Sequence, residues 1–504
     1  MARSVVIVGA GIGGLSAAAI LSAQGCRVTV LERAEHLGGK IRQDQVAGRA
    51  IDAGPTVMTM RWALERVFRE AGADLADRVR LEPLPVLARH HWADGSALDL
   101  HTDVARSQVE IRALAGAADA QGYLAFCRHG EHLFDLVSGP FMDGAKPSIA
   151  GLLGLAGRIG ARGALALEGH RTMAASLEGF FRDARLRQLF GRFATYVGAS
   201  PYDAPATLNV IAHVERLGVW SVEGGMASVP LALAAIARER GAVLRTGAQV
   251  AAIEVSRGRA VGVRLQGGEI LSADAVIWNG DVSALACGLA GPEVQAAVPA
   301  TTRRSLSAVT FSMVARVRGT DLARHTVFFS RDYAREFEEI DRLGVPTEPT
   351  VYVCAQDRGA DGEPPRGPER LFFIVNARAS AGSGPIEESA CSSKVLAGLE
   401  KRFGVSFAIE ECRVTTPATF GERFPATWGA LYGPAATGLV STLTRARERS
   451  RMPGLYLAGG SAHPGPGVPM AATSGRLAAR AVIEDLGSTS PSRWTATPGG
   501  MSTR

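Results

Sequence analysis

Three glycines spaced Gly9-x-Gly11-x-x-Gly14 lie between a β-branched run at residues 4–8 and an Ala-rich, helix-forming segment at 15–24. Strand, glycine turn and helix in that order make a dinucleotide cradle: the backbone turns tightly, approaches a pyrophosphate, and sets its charge on the helix N-terminus. With 59 glycines in 504 residues, roughly one such spacing is expected by chance, so the flanking residues decide. A second β-branched run at 27–31 ends at Glu32, eighteen residues beyond Gly14, where a carboxylate accepts hydrogen bonds from a ribose diol. Gly38-Gly39 follows with Lys40 and Arg42 nearby, a second close backbone approach suited to phosphate or a polyol chain.

These residues need a βαβ frame, which residues 4–31 supply. A mixed region runs to about 115, and helical periodicity extends from about 120 to 218. A second glycine-punctuated block spans 222–279, with a helix expected over 229–240 and strands over 243–246, 249–255, 260–265 and 275–278. Strands are expected at 350–355 and 370–377, around an exposed turn-rich loop at 357–369. A strand at 454–457 and a helix at 471–486 precede a Ser/Thr/Pro/Gly-rich tail, 488–504, read as disordered.

A length of 504 residues suggests about three folding units at roughly 150 residues each. Hydrophobic residues at 46% and charged residues at 21%, with a mean hydropathy of +0.09, exclude a disordered chain. The net charge of +6 comes from scattered arginines, so no nucleic-acid partner is expected. Six cysteines without a CxxC pair point away from a metal site or disulfide framework and toward reduced thiols. The N-terminus carries no secretory pattern, and no apolar run reaches the ~18 residues of a spanning helix. A cytoplasmic protein held peripherally on the inner membrane is therefore expected. The membrane-contacting candidate is 148–167, apolar except for Arg158 and Arg162 on one helical face.

The segment ERAEHLGGK, residues 32–40, resembles flavoprotein oxidoreductases with an amine-oxidase-like FAD domain. IDAGPTVMTMRW, residues 51–62, looks like the D-x-G-P-T element of the bacterial-type phytoene desaturase family of carotenoid desaturases. Its GPTVMTMRW portion is particularly similar to the branch acting on 1-hydroxycarotenoids. Residues 186–220, VEGGMASV at 222–229 and GLYLAGGSAHPGPGVPMAATSGRLAARAVIEDL at 454–486 resemble the same family. The resemblance runs from Val5 to about Leu486 and is weakest over 65–185.

It implies an α/β fold: a Rossmann-like FAD-binding domain of the amine-oxidase and phytoene-desaturase type, a mixed-sheet substrate domain and a helical, membrane-associating subdomain. The implied boundaries are 1–75, 220–290 and 445–487 for the FAD unit, 76–115 and 291–444 for the substrate unit, and 116–219 for the helical one. The implied cofactor contacts are Gly9, Gly11, Gly14, Glu32, Gly38, Gly39 and Lys40, then Gly54, Pro55 and Thr56 beside the flavin. Val250 would offer backbone to adenine, Gly459 and Gly460 a turn, and Val468, Pro469 and Met470 a helix N-terminus directed at the pyrimidine ring.

The implied activity is insertion of a C-3,4 double bond into an acyclic 1-hydroxycarotenoid by hydride transfer to flavin N5, in spheroidene or spirilloxanthin-type synthesis. Oxygen or a quinone would take the electrons, and the lipid surface would deliver the substrate. Alternatives are phytoene desaturation or another carotenoid step, a flavin amine oxidase, whose aromatic cage Trp428 and Tyr432 could imitate although they read as packing in the substrate domain, and a non-catalytic prenyl carrier. No catalytic residue is assigned: Asp135, Asp143, Arg158 and Arg162 lie where the match gives no register and read as surface residues. His90-His91 and His129-x-x-His132 lack metal-site companions and read as exposed, while His463 sits in the flavin-side loop.

Overall fold

The computed structural model describes residues 2–144, 167–300, 303–379, 386–438 and 445–488. The membrane candidate at 148–167, apart from Leu167, lies outside the described residues, as do Arg158, Arg162 and nearly all of the tail. Five parallel strands form the first sheet, in the order Leu455–Leu457, Ala275–Trp278, Ser4–Val8, Arg27–Leu31 and Val243–Arg245. Its central strands read as unbroken apolar runs because both faces are covered. The helix Ile12–Ala23 is buried from Ile12 through Ser22. Its small residues admit Ser228–Glu239 and Val468–Ser488 at close range. A Cβ at Gly475 would stand 1.9 Å from the Gly13 carbonyl oxygen, so glycine is what lets these two helices touch.

The second sheet has seven strands, ordered Ser406–Thr415, Ser307–Arg318, Glu369–Ala377, Val351–Ala355, His325–Phe328, Val86–His91 and Ala97–His101. All pairs are antiparallel except His325–Phe328 with Val86–His91. Alternation along Val351–Ala355 divides its faces. Val351, Val353 and Ala355 join an apolar layer with Val395 and Leu399 of the helix Glu388–Phe403. Tyr352 and Cys354 face the other way, into an aromatic layer with Phe126, Phe190 and Phe193.

The helical region starts at Val104, ahead of the expected position, because the Asp103 carboxylate accepts from the N–H groups of Ala105 and Arg106. The run is interrupted at Gly116, φ +87°. The short strand Ile270–Ser272 was not anticipated. Within the loop expected to be exposed, Arg358 is 3% exposed and forms a two-pronged pair with Glu369 at 2.9 Å. Only the tip, including Asp361 and Glu363, is open.

Candidate cofactor and substrate site

The glycine turn is built by mutual contact. Gly9 takes φ +99° and donates its N–H to the Leu31 carbonyl at 2.8 Å. A Cβ on Gly14 would meet the Gly9 oxygen at 2.2 Å. Gly11 starts the helix without a side-chain cap, leaving a first turn of N–H groups suited to an anion. Gly38 donates to the Ala10 carbonyl at 2.9 Å and bridges to Gly11, while Gly39 lies so near that its Cβ would come within 3.2 Å of Gly11 Cα. Glu32, 8% exposed, accepts from the Ala10 N–H at 2.7 Å and the Ala34 N–H at 2.9 Å. The chain then returns beside it: Gly247 and Ala248 donate to the carbonyls of Ala34 and Glu32, which sets half-buried Val250 at the head of the strand Val250–Ser256.

Asn279, which sequence reasoning missed, joins the two ends of this site. Its Nδ2 donates to the Gly9 carbonyl at 3.1 Å, and a Cβ on Gly459 would lie 3.0 Å from its Oδ1. That Oδ1 is buried without a partner among the described residues. The available signal was an asparagine directly after the strand Ala275–Trp278. Arg445 was also missed: it donates to the Gly460 carbonyl at 3.0 Å and the Pro434 carbonyl at 3.1 Å. Burial pulls its pKa down to about 10, with Asp281 opposing. Val468 and Pro469 are buried at the start of the last helix, and Met470 packs with Met60, Ala63 and Val214.

The D-x-G-P-T segment has a structural acid and a site-facing threonine. Asp52 accepts from the Met226 N–H at 2.7 Å and Gln43 Nε2 at 3.1 Å, while its carbonyl accepts from Gln356 Nε2 at 2.8 Å. Burial still raises its carboxyl above the usual range. A Cβ on Gly54 would stand 2.0 Å from the Lys40 carbonyl. After half-buried Pro55, Thr56 Oγ1 shares a 2.7 Å hydrogen bond with the Tyr352 hydroxyl. Lys40 itself turns toward the far wall, donating to the Leu431 carbonyl at 2.6 Å with its Nζ 5.4 Å from the Phe424 ring centre. Burial lowers its pKa, with Asp281 opposing. Arg42 is engaged by Asp44 and Thr415.

The expectation of exposed histidines is corrected at three positions, His90, His91 and His129, of which His91 is half-buried. His90 is 2% exposed, because its strand lies inside the second sheet; burial lowers its pKa to about 3. His129 is half-buried beside Glu168 and Phe180, whereas His132 is exposed. His463 is buried, with Nε2 3.0 Å from the Gly144 carbonyl oxygen. Asp135 is exposed. Trp428, 42% exposed, lies beneath the Arg304 guanidinium at 4.7 Å.

The packed glycine cradle, the uncapped helix start and the carboxylate held beside them fit a dinucleotide. With a second, mixed sheet facing this site, fold and site together define a flavoprotein oxidoreductase. The chain belongs to the family described as "Flavin containing amine oxidoreductase", matching it over residues 12–483, and its cofactor is FAD. It is 48% identical to a hydroxyneurosporene desaturase of Rubrivivax gelatinosus, covering 99% of this chain and 97% of that protein. It is 43% identical to a protein of the same name from Cereibacter sphaeroides, covering 96% and 98%. A crystal structure of an oxidoreductase from Methanosarcina mazei shares the fold, with TM-score 0.61 and 18% identity over 95% of this chain and all of that one.

Proposed function

We propose that this protein is an FAD-dependent carotenoid desaturase that introduces the C-3,4 double bond into an acyclic 1-hydroxycarotenoid. The observation that carries this reading is the 48% identity over 99% of the chain to a hydroxyneurosporene desaturase. Bound FAD would supply the hydride acceptor. Gly9, Gly11, Gly14, Gly38 and Gly39 would admit its phosphates, Glu32 its ribose, and Asn279 and Arg445 would fix the turns around Gly459 and Gly460.

Loss of a hydride from the carbon next to the polyene leaves a cation spread along the conjugated chain. The neighbouring carbon then gives up its proton readily, even to a weak base or to water. The protein's task is chiefly to orient an apolar chain and exclude water, and the layer containing Phe126, Phe190 and Phe193 suits it. Among the described residues no helix is long and apolar enough to cross a membrane. Peripheral attachment through 148–167 to the inner membrane would give access to a bilayer-dissolved substrate, and oxygen or a quinone would reoxidise the flavin.

The test is anaerobic incubation of FAD-loaded protein in liposomes with 1-hydroxyneurosporene, phytoene or a polyamine, following flavin bleaching and identifying products. Bleaching with a lengthened chromophore only for the hydroxycarotenoid is expected. Bleaching by phytoene moves the pathway step, bleaching by the amine replaces the substrate class, and failure to bind FAD leaves the prenyl carrier.

A further inference from the structure

A 1-hydroxycarotenoid is hydrocarbon except for its hydroxyl, and apolar contact is non-directional. Nothing in burial alone stops such a chain from sliding along its channel. The hydroxyl-bearing carbon is separated from the nearer reacting carbon by a single methylene, so a group that holds the hydroxyl must border the reaction centre. Among the residues assigned to the flavin border, Thr56 has a side chain that reaches the second sheet, through its bond to Tyr352.

The bond is the first link of a chain. The Tyr352 hydroxyl also lies 2.7 Å from His325 Nδ1, and the two rings stack at 5.9 Å. His325 is 2% exposed, yet its Nε2 is buried without a partner among the described residues, an arrangement that calls for a ligand or a reason. With Thr56 donating to Tyr352 and Tyr352 donating to Nδ1, a neutral imidazole carries its hydrogen on Nε2 and can offer it to an oxygen. A second buried polar group lies near enough for its charge to act on both His325 and Tyr352. Arg192, 7% exposed, donates to the Tyr196 hydroxyl at 3.0 Å, which donates to Glu215 at 2.7 Å. The surrounding layer is otherwise dominated by aromatic and aliphatic side chains.

The geometry points to the Thr56–Tyr352–His325 chain, backed by Arg192, as the site that receives the substrate's tertiary hydroxyl and so fixes which carbons face the cofactor. This assignment rests on the reading that the substrate is a 1-hydroxycarotenoid. His325 and Tyr352 are then positioning residues that set specificity, and a polar layer in a hydrocarbon-binding protein has a purpose.

The test uses full-length, FAD-loaded enzyme with His325→Phe, which keeps a ring against Tyr352 and removes the nitrogens. Two substrates are compared: the 1-hydroxycarotenoid and its 1,2-dihydro analogue lacking only the hydroxyl. Loss of one neutral hydrogen bond corresponds to roughly tenfold. The variant should lose about that factor or more in kcat/KM for the hydroxylated substrate and stay within about twofold for the analogue. Equilibrium binding of the hydroxylated substrate to dithionite-reduced enzyme, followed by its absorption shift, should weaken by a matching factor with FAD content and Tm unchanged. Tyr352→Phe, which keeps the ring and removes only the hydroxyl that links Thr56 to His325, provides the same comparison if His325→Phe does not fold. Equal losses on both substrates, or no loss on either, would overturn the anchor. Wild-type enzyme that desaturates a non-hydroxylated carotene and ignores the hydroxylated one would instead remove the proposed function, and the anchor with it.

Discussion

Replacing Glu32 with glutamine separates the carboxylate's two duties. In the structure each of its oxygens receives a backbone N–H, Ala10 at 2.7 Å and Ala34 at 2.9 Å. A glutamine offers one oxygen and one NH2, so whichever way it turns, one backbone N–H faces another donor. A charge-assisted hydrogen bond is worth about 1.5–3 kcal/mol, so the apoprotein should lose about 2 kcal/mol in urea or thermal unfolding. The remaining carboxylate lone pairs are those a ribose diol would use, and their loss should raise the FAD dissociation constant by about tenfold or more, equivalent to about 1.4 kcal/mol. Titration of FAD into apoprotein, read by flavin fluorescence, measures this directly. An unchanged dissociation constant alongside the lost stability would show that Glu32 only braces the loop, and unchanged values for both would remove the reasoning altogether.

Gly475→Ala places a Cβ 1.9 Å from the Gly13 carbonyl oxygen, whereas Gly487→Ala meets nothing within 4 Å. Chemical denaturation should show a loss of about 3 kcal/mol for the first and a change under about 1 kcal/mol for the second. Arg358 and Glu369 form a buried pair, so Arg358→Ala alone should cost about 3–5 kcal/mol, and Arg358→Met with Glu369→Leu should recover most of it in the same assay. His90 and His325 have folded pKa values near 3 because burial disfavours their charge. Their contribution is complete above the unfolded value of about 6.5 and falls by about 1.4 kcal/mol per pH unit for each histidine as pH drops below it. Between pH 6.5 and pH 5, Tm should therefore decline less steeply in His90→Phe than in the parent.

The glycine turn was legible because its requirements fall on residue identity. Only glycine tolerates φ +99° at position 9 without strain and the 2.2 Å approach at position 14, and Glu32 stands at the end of the next parallel strand, where its carboxylate receives the Ala10 and Ala34 N–H groups. Asn279 escaped notice because a single asparagine after a strand matches countless turns, and its contact with Gly9 crosses 270 residues. Arg445 escaped for the same reason: its carbonyl partners at 434 and 460 form no local pattern. The misreading of His90 had a different cause. Two adjacent histidines look hydrophilic, but His90 stacks against Trp92 and Phe329 on an interior strand of the seven-stranded sheet, so that ring is buried while its neighbour on the opposite face is half-buried.

The substrate side resists a sequence reading for a reason that bears on mechanism. A reaction that leaves its positive charge on a polyene needs no strong base, metal or nucleophile, so it imposes no motif on the chain. It does impose a register, since the same hydride acceptor placed one repeat further along would oxidise a different bond. Aromatic residues such as Phe126, Phe190 and Phe193 provide volume and dryness but no register, because their contacts are interchangeable along a hydrocarbon. Directional bonds provide it, and in this layer Thr56, Tyr352 and His325 place two of them in sequence, ending at a nitrogen with no partner among the described residues. The residues that decide which bond is oxidised are therefore to be sought among the few polar groups of the substrate layer, and their spacing in the chain, positions 56, 325 and 352, is set by the meeting of two sheets rather than by any local signature.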